Sequence, residues 1–346
     1  MEKQQVIISE NLAETLSKAV ADCPHDSLLV LVDETTRQHC WPVVSGLDCM
    51  QQARLITIGA TDTHKTLDTL SFVWSEMQRH GATRHSLMVN LGGGMVTDLG
   101  GFAASTFKRG IQYINIPTTL LSMVDASVGG KTGINFGGLK NEIGVFNNAR
   151  CVILDTRFLH TLDKENLLSG YAEMLKHGLI SDDVMWAELL SCELGALTSK
   201  MVADSVAVKQ RIVTEDPTEQ GIRKALNLGH TAGHAFESFS LSQQAPLLHG
   251  YAVAYGLVVE LYLSCVKTGF PQDKMRQTVA FIKEHYGKTA ITCDDYPTLL
   301  ELMHHDKKNR GGDINFTLLG DIGDIRINQT ASEEDIKEAL DFYREC

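Results

Sequence analysis

The chain has 346 residues, of which 43% are hydrophobic and 21% are charged, and its formal net charge is −12. This length favours two domains of ordinary size, and the composition is typical of a soluble globular protein rather than a disordered or fibrous one. The negative charge and the lack of any lysine and arginine block exclude a nucleic-acid scaffold, so a few individually placed cations would have to hold any anionic substrate.

The N-terminal sequence lacks the basic and apolar segments of a signal peptide, and no apolar run is predicted to span a membrane. The longest candidate, residues 251–266, is interrupted by Glu260. Eight cysteines without a Cys-x-x-Cys pair are typical of buried free thiols in a reducing compartment. These features predict a cytoplasmic protein.

From residue 4 to residue 155, apolar runs with β propensity alternate with helical patterns. Strands are predicted at residues 5–9, 27–33, 54–59, 85–91, 112–116 and 150–155, and helices near 11–22, 66–79 and 95–107. This alternation predicts a Rossmann-like α/β domain with a mostly parallel sheet over residues 1–160. Such sheets bind ligands beyond the carboxyl ends of their strands, where Asp33, Gly59 and Gly92 fall.

After Asp155, helical periodicity continues nearly to the end of the chain. Helices are predicted at residues 164–180, 182–194, 198–214, 224–239, 249–268, 272–286 and 332–344. A short β-like segment at residues 314–327 interrupts them. We therefore expect a second, all-α domain over residues 161–346.

Residues 92–144 interleave glycine with charged residues as no other stretch does. Three glycines between a predicted strand and a predicted helix would let the backbone approach a ligand and offer N–H groups to a phosphate or pyrophosphate. The stretch is not the Rossmann fingerprint, which needs glycine where Thr97 stands. It is not a P-loop either, since a P-loop needs glycine where Asp125 stands.

The remaining pattern closely resembles the motifs of the 3-dehydroquinate synthase family, whose members are cyclising enzymes of the shikimate pathway. The matching residues are Gly-Gly-Gly (92–94), Asp98, Arg109, Pro-Thr-Thr (117–119), Asp125, Gly-Gly-Lys-Thr-Gly (129–133) and Lys-Asn (140–141). The resemblance spans the chain from Asp33 to about Gly320, and it implies the fold of that family. It also implies conversion of 3-deoxy-D-arabino-heptulosonate 7-phosphate to 3-dehydroquinate, through transient oxidation by NAD, phosphate elimination, reduction and intramolecular aldol closure.

The resemblance implies an NAD site in the first domain. Asp33, at a strand end, could accept a hydrogen bond from a ribose hydroxyl or could cap the helix that follows. Residues 59–65 are similar to the family's Gly-Glu-x-x-Lys cofactor loop, with Asp62 in place of the glutamate. The implied cofactor-binding residues are Asp33, Asp62, Lys65, Gly93, Gly94, Asp98, Thr118, Thr119, Phe158, Thr161 and Leu162.

The predicted helical half contains candidate ligands for one divalent metal. Spacing alone favours His230 and His234, four residues apart on one helical face, as a ligand pair. The family resemblance instead implies Glu173, His230 and His249 as ligands of Zn²⁺ or Co²⁺, with two positions open for substrate oxygens. It implies that His234 is a catalytic hydrogen-bonding group, and an imidazole is suited to relay protons near neutral pH.

Cations in stretches that match the family are implied to hold the two anionic ends of the substrate. Arg223 with Lys209 would hold the carboxylate, and Lys131 with Asn141 the phosphate. The implied catalytic residues are His234, Lys131, Lys176, Asp125 and Asn141. The implied substrate-binding residues are Arg109, Lys140, Lys209, Arg223, Asn227 and Lys308.

Three of these residues carry further expectations. Asn227, four residues after Arg223, is predicted to lie on the same helical face as that arginine. The last cation position falls on Lys307 or Lys308, and we favour Lys308. Arg109 is implied to reach the phosphate in a neighbouring subunit, which predicts a homodimer.

Four positions depart from the family pattern: Asp62, Thr97, Glu142 and Tyr251. None of them removes a residue assigned to the metal or to a substrate anion. Metal-dependent alcohol or glycerol dehydrogenases share the fold, but they need no carboxylate and phosphate clamp. Other sugar phosphate cyclases act on substrates without the carboxylate, so Lys209, Arg223 and Asn227 favour the dehydroquinate synthase reading. A non-catalytic dinucleotide sensor is disfavoured because the metal ligands and phosphate lysines are all present.

Overall fold

The computed structural model describes residues 4–137, 139–304 and 314–346. The described chain divides into two compact units, the first comprising residues up to Asp163 with Thr198–Val206, and the second Lys164–Leu197 with Ala207–Cys346. The predicted domains, residues 1–160 and 161–346, place residues 198–206 in the second half instead. The assignment of NAD to one domain and metal to the other stays a prediction.

The first unit is built on a six-stranded parallel sheet. The strands of this unit are β1 (Gln5–Ile8), β2 (Leu28–Asp33), β3 (Arg54–Ile58), β4 (Leu87–Gly92), β5 (Gln112–Pro117), β6 (Lys131–Phe136), β7 (Leu139–Phe146) and β8 (Cys151–Leu154). The sheet order is β1-β8-β5-β4-β2-β3, and every neighbouring pair is parallel. Every residue of β2 and β4 is buried, which explains why these strands read as continuous apolar runs. All six predicted strands are confirmed.

Five helices lie among the described residues before Asp163. They are α1 (Leu12–Ala21), α2 (Glu34–His39), α3 (Trp41–Ser45), α4 (Leu67–Arg79) and α5 (Gly94–Thr106). The three predicted helices correspond to α1, α4 and α5. The short helices α2 and α3 were not predicted, because five or six residues are too few to show a helical period.

The strand order places the predicted cofactor residues at one edge of the sheet. From β2 the chain adds β3 on one side, whereas β4 pairs with the other side of β2 and is followed by β5. The order therefore reverses between β2 and β4, and open α/β sheets bind ligands at such a switch point. Asp33 ends β2, Gly92 ends β4 and Pro117 ends β5.

Strands β6 and β7 form an antiparallel hairpin outside the main sheet. Neither strand was predicted, because the glycines and charges of this stretch hide the alternation of a strand. Every residue of β7 is exposed, so its sequence lacks the apolar pattern of a buried strand.

The second unit is mainly helical. The remaining helices are α6 (Lys164–Leu179), α7 (Asp183–Ser191), α8 (Ser199–Glu215), α9 (His230–Ser242), α10 (His249–Thr268), α11 (Gln272–Tyr286), α12 (Tyr296–His304) and α13 (Glu333–Glu345), of which α8 begins among the residues of the first unit. The β-like segment forms an antiparallel hairpin of β9 (Asn315–Asp321) and β10 (Asp324–Thr330). The fold class is confirmed, with this hairpin as the exception to an all-α second half.

The predicted helix 224–239 is confirmed over residues 230–239, but its predicted start is wrong. The structure has a 3₁₀ helix at Ile222–Asn227, followed by Gly229 with φ +78°, and α9 starts at His230. Glycine reaches this left-handed conformation without the steric cost of a Cβ atom, so the helical pattern breaks there. Because a 3₁₀ helix has three residues per turn, Arg223 and Asn227 do not share one α-helical face as predicted.

Helix α10 has 20 residues and is long and apolar enough to cross a membrane by length and composition, which corrects the expectation that no such run exists. In the structure, 72% of its 18-residue apolar window is buried within the protein. Its residue Glu260 is fully buried as well. Helix α10 is therefore a core helix of the second unit.

All eight cysteines, each among the described residues, are free thiols. Cys23, Cys40 and Cys151 are buried, whereas Cys293 is exposed and the other four are half-buried. The predicted burial therefore holds for only part of the set.

Candidate active site

Three helices of the second unit bring one carboxylate and two imidazoles together. Glu173 comes from α6, His230 from the first turn of α9 and His249 from the first turn of α10. One ligand atom from each lies within 4.8 Å of the others. The Nε2 atoms of His230 and His249 lie 3.5 and 3.4 Å from Glu173 Oε1. Since Zn²⁺ bonds to nitrogen and oxygen are about 2.0–2.2 Å long, this spacing suits three ligands around one ion.

The environment of Glu173 fits a bound cation. The residue is fully buried, and its Oε2 atom pairs with Lys176 Nζ. Among the described residues, Oε1 accepts no hydrogen bond, although it is buried. A buried carboxylate oxygen without a donor is costly, and a metal ion would compensate that oxygen.

The other nitrogen of each imidazole has an acceptor that fixes its proton. His230 Nδ1 lies 3.1 Å from Leu228 O, and a carbonyl oxygen can only accept. His249 Nδ1 lies 3.4 Å from Glu237 Oε2. Both Nδ1 atoms therefore carry hydrogen, so each Nε2 atom is the one that can bind a metal, in His249 after loss of its second proton.

Glu237 was missed by sequence reasoning. It lies seven residues after His230, two turns along α9, and its side chain is 9% exposed. This spacing was the available signal, since residues i and i+7 share a helical face. A carboxylate that accepts from a ligand imidazole orients the ring and increases its basicity.

A second buried carboxylate, also missed, fixes the start of α9. Glu260 of α10 accepts hydrogen bonds from the backbone N–H groups of Gly229, Thr231 and Ala232 at 2.6, 2.9 and 3.1 Å. The first N–H groups of a helix have no partner within it and carry partial positive charge. Glu260 satisfies them, and it thereby holds His230 at a fixed position.

The glycine that follows His249 allows α10 to approach α6 closely. A Cβ atom on Gly250 would lie 1.9 Å from the backbone oxygen of Ser169, which is not possible without a backbone shift. Ser169 lies one helical turn before Glu173 on α6. Gly250 therefore sets the distance between Glu173 and His249.

Charges within the cluster shift its ionisation when no metal is bound. Burial would raise the pKa of Glu173, but Lys176 and the imidazoles hold it well below its ordinary value. Burial lowers the pKa of His230 well below the ordinary value despite Glu173. Burial also opposes the charged form of His249, but Glu173 and Glu237 outweigh it and raise its pKa to about 10. Metal binding would therefore release a proton from His249.

His234 lies one turn after His230 on α9. Its ring centroid is 5.3 Å from that of His230 and 6.0 Å from that of His249. Among the described residues, the close group of ligand atoms contains Glu173 and His249 with His230, and it does not include His234. The geometry thus favours the ligand set implied by the resemblance over the pair chosen by spacing, while the role of His234 stays a prediction.

Three predicted site cations of the second unit are buried. Lys176, Lys209 and Arg223 are 1%, 6% and 2% exposed. Arg223 Nη1 donates to Pro217 O at 2.6 Å, and Asn227 Nδ2 donates to Glu219 Oε1 at 2.9 Å. Lysine and arginine are rarely buried unless they are paired, and Lys176 is paired with Glu173.

In the first unit, the predicted cofactor residues at the ends of β2, β4 and β5 have defined local roles. Asp33 caps α2, because its Oδ1 accepts from Thr36 N at 2.7 Å, so one of its two possible roles is observed. Gly93 is the N-cap of α5, and Gly94 is its first residue. Thr118 N donates to Gly92 O at 3.0 Å, which joins the ends of β4 and β5. Thr119 follows and bonds to Ser122 Oγ.

The cofactor loop, residues 59–65, contacts the β6–β7 hairpin. Lys65 is 4% exposed, and its Nζ donates to Asp98 Oδ2 at 2.5 Å and also to Asn141 Oδ1. Asp62 Oδ2 accepts from Asn135 Nδ2 at 3.1 Å and lies 3.7 Å from Lys140 Nζ. The structure therefore groups Lys140 and Asn141, predicted for substrate and catalysis, with cofactor residues.

The remaining predicted residues lie at separate places in the first unit. Asp125 is in a single π-helical turn, Ser122–Ala126, and Lys131 opens β6. Phe158 is buried within the 3₁₀ helix Thr156–Thr161, which Leu162 follows. Arg109 is exposed at the end of a 3₁₀ turn after α5. Lys307 and Lys308 lie outside the described residues.

Replacing Glu237 with glutamine should weaken Zn²⁺ binding about 10- to 100-fold, because the His249 ring loses its carboxylate acceptor. Competition with a chromophoric chelator measures the affinity. The matched control is Glu284→Gln, an exposed change on α11 that should leave affinity unaltered. Equal zinc affinity for Glu237→Gln and the control would show that Glu237 does not support the metal site.

Comparison with family models assigns both halves of the chain. Residues 55–169 match the N-terminal 3-dehydroquinate synthase model, and residues 170–309 match the C-terminal one. The chain is 53% identical over 349 aligned residues to the 3-dehydroquinate synthase of Parabacteroides distasonis, covering 100% of this chain and 99% of that protein.

Two solved structures share the fold at lower identity. One is 2-epi-5-epi-valiolone synthase from Streptomyces hygroscopicus subsp. jinggangensis 5008 with NAD⁺ and Zn²⁺ bound, with a TM-score of 0.84, 23% identity and coverage of 100% of this chain and 98% of that one. The other is 2-deoxy-scyllo-inosose synthase complexed with carbaglucose-6-phosphate, NAD⁺ and Co²⁺, with a TM-score of 0.82, 21% identity and coverage of 98% and 96%.

The two matching family models and the full-length relative together place the chain in the 3-dehydroquinate synthase family.

Proposed function

We propose that the chain converts 3-deoxy-D-arabino-heptulosonate 7-phosphate to 3-dehydroquinate and phosphate, the reaction of its family in aromatic amino acid biosynthesis. The proposal rests most on the second unit, where Glu173, His230 and His249 converge and Lys176, Lys209 and Arg223 are buried. A metal ion can bind neighbouring hydroxyls of a sugar substrate, and buried cations can bind its carboxylate. The enzyme would be a phosphate-eliminating carbon–oxygen lyase.

NAD and a divalent metal, Zn²⁺ or Co²⁺, are the proposed cofactors. Two structures that share the fold were solved with NAD⁺ and one of these metals, which supports this assignment. Glu173, His230 and His249 would hold the metal, and the donor set of two imidazoles and one carboxylate suits Zn²⁺. When bound, NAD accepts and returns a hydride, and the metal lowers the pKa of coordinated hydroxyls.

Residues of the first unit would bind the dinucleotide. The glycines at the start of α5 leave backbone N–H groups at a helix N-terminus, which suits a pyrophosphate. The proposed contacts are Asp33, Asp62, Lys65, Gly93, Gly94, Asp98, Thr118, Thr119, Phe158, Thr161 and Leu162.

Arg223 and Lys209 would bind the substrate carboxylate. A guanidinium group can donate two parallel hydrogen bonds to a carboxylate, which fixes orientation as well as affinity. Asn227 would donate its amide to a hydroxyl. This anion clamp favours the heptulosonate over the substrates of cyclases that lack a carboxylate.

Proton movement would involve His234, Lys176 and Asp125. An imidazole has a pKa close to neutrality, so His234 can both accept and donate a proton during turnover. Lys176 is paired with Glu173, so it would stabilise that ligand as well as a nearby hydroxyl. Asp125 would accept a hydrogen bond from a hydroxyl.

Lys131, Lys140, Asn141 and Lys308 would hold the phosphate, together with Arg109 of the neighbouring subunit. Cations around a leaving phosphate stabilise the charge that develops as its bond breaks. Asn141 can offer its Nδ2 group, because Lys65 can only donate and therefore occupies Oδ1.

A homodimer is proposed because the β6–β7 hairpin presents a bare apolar surface. Its large exposed residues, with 38% to 56% exposure, are Phe136, Leu139, Ile143, Val145 and Phe146. Exposed apolar side chains on one hairpin suit an interaction site, and a second copy of the chain is the simplest partner. Lys108 and Arg109 have φ values of +48° and +70°, in the left-handed region that is uncommon for residues other than glycine.

We place the protein in the cytoplasm. Its eight free thiols suit a reducing compartment, where disulfides are rare.

The reaction itself is tested by supplying the heptulosonate phosphate with NAD⁺ and Zn²⁺. Phosphate should be released without net formation of NADH, because NAD is regenerated in each turnover. Stoichiometric NADH without phosphate release would instead identify a dehydrogenase.

Arg223→Lys should lower kcat/KM by an amount equivalent to about 1–3 kcal/mol, because lysine cannot form the paired hydrogen bonds of a guanidinium group. Steady-state kinetics measures the change, with the exposed Arg211→Lys as the matched control. Full catalytic efficiency in Arg223→Lys would mean that the carboxylate binds elsewhere.

The dimer is tested by sedimentation equilibrium. The unaltered chain should have twice its monomer mass, and Val145→Asp should shift it toward monomer because a charge is introduced into the apolar face. Val184→Asp, a change at a 78% exposed valine outside the hairpin, should leave the mass unchanged. A monomeric parent chain would rule out a site shared between subunits.

A further inference from the structure

Asn135, near the end of β6, joins the cofactor loop to Asn141 near the start of β7. Its backbone N–H donates to Lys65 O at 2.8 Å, and its Nδ2 donates to Asp62 Oδ2 at 3.1 Å. Its Oδ1 accepts from the backbone N–H of Asn141 at 2.9 Å. One side chain thus contacts both a proposed NAD residue and a proposed phosphate residue.

The two side-chain contacts require the amide group of Asn135. A primary amide has a donor and an acceptor at its two ends, so it can bridge an aspartate oxygen and a backbone N–H. An aspartate would keep only the acceptor and would repel Asp62, and an apolar residue would lose both bonds. The family motifs give Asn135 no role, although it lies between Lys131 and Lys140.

Lys65 forms a second connection between the cofactor loop and Asn141. Lys65 Nζ donates to Asn141 Oδ1 and to Asp98, so the last residue of the cofactor loop holds the Asn141 amide. Asn141 has φ +51°, in the left-handed region that is uncommon for residues other than glycine. Contacts on both its backbone and its side chain hold it in this conformation. Movement of the loop would therefore move the Asn141 amide.

We propose that Asn135 is a positioning residue that couples NAD binding to binding of the substrate phosphate. This inference rests on the proposed function, because it takes Asp62 and Lys65 as dinucleotide contacts and Asn141 as a phosphate contact. A dinucleotide that orders the cofactor loop would also order Asn141, so the substrate phosphate would bind a site whose Asn141 is already in position. By thermodynamic linkage, the substrate must then tighten dinucleotide binding by the same factor.

NADH with the heptulosonate phosphate provides an unreactive pair for the measurement, because the first oxidation needs NAD⁺. Fluorescence titration of the zinc-loaded, full-length protein gives the Kd of NADH with and without saturating substrate. We expect the substrate to tighten NADH binding about fivefold or more. In Asn135→Ala and in Asn135→Asp, this ratio should fall toward one, and the Lys65 contact to Asn141 would carry what remains of it.

The exchange of the two side chains tests the bridge itself. In the double variant Asn135→Asp with Asp62→Asn, the donor and acceptor are swapped, so the bond can reform and most of the ratio should return. Because Asp62 also lies 3.7 Å from Lys140, the single variant Asp62→Asn is measured as well and gives the effect of that change on the ratio. The control Asn11→Ala removes the N-cap of α1 in the same unit and should leave the ratio unchanged.

Three results would overturn the proposal. They are a wild-type ratio near one, an undiminished ratio in Asn135→Ala with normal zinc content, and a double variant no better than Asn135→Asp alone. Failure of the wild-type protein to bind the heptulosonate phosphate at all would instead overturn the proposed function.

Discussion

The second unit depends on keeping a negative charge in its interior. Glu173 has no solvent exposure, and an ionised carboxylate in such a place is strongly unfavourable without opposite charge around it. Lys176 neutralises one oxygen, and two imidazoles approach the other from α9 and α10. A divalent cation at this cluster would satisfy the second oxygen, and it would link the packing of three helices to metal binding.

Three further residues hold the side chains of this cluster in position. Glu260 anchors the start of α9, Glu237 orients His249, and Gly250 permits α10 to approach α6. Each acts on the position or orientation of a ligand rather than on the substrate. In the first unit, Asn135 and Lys65 act similarly on Asn141. Both proposed sites thus rely on buried or half-buried polar groups that hold other side chains in place.

The sequence predicted all six strands of the parallel sheet and most of the long helices, because continuous apolar runs and helical periods reflect burial. The start of the predicted helix 224–239 was wrong, because the left-handed backbone of Gly229 separates the 3₁₀ helix from α9. The β6–β7 hairpin was not predicted, because β7 is exposed and its sequence has no apolar pattern. The ligands Glu173, His230 and His249 followed from the family resemblance, whereas spacing alone pointed to His234. Glu237 and Glu260 were missed, because a glutamate within a helix ordinarily indicates a solvated face.

The position of the metal tests the central claim most directly, and anomalous X-ray diffraction from crystals of the zinc-loaded protein would give it. We expect one ion bonded at about 2.0–2.2 Å to an oxygen of Glu173 and to the Nε2 atoms of His230 and His249. Zinc held by His230 and His234, with Glu173 outside its coordination sphere, would contradict the site described here.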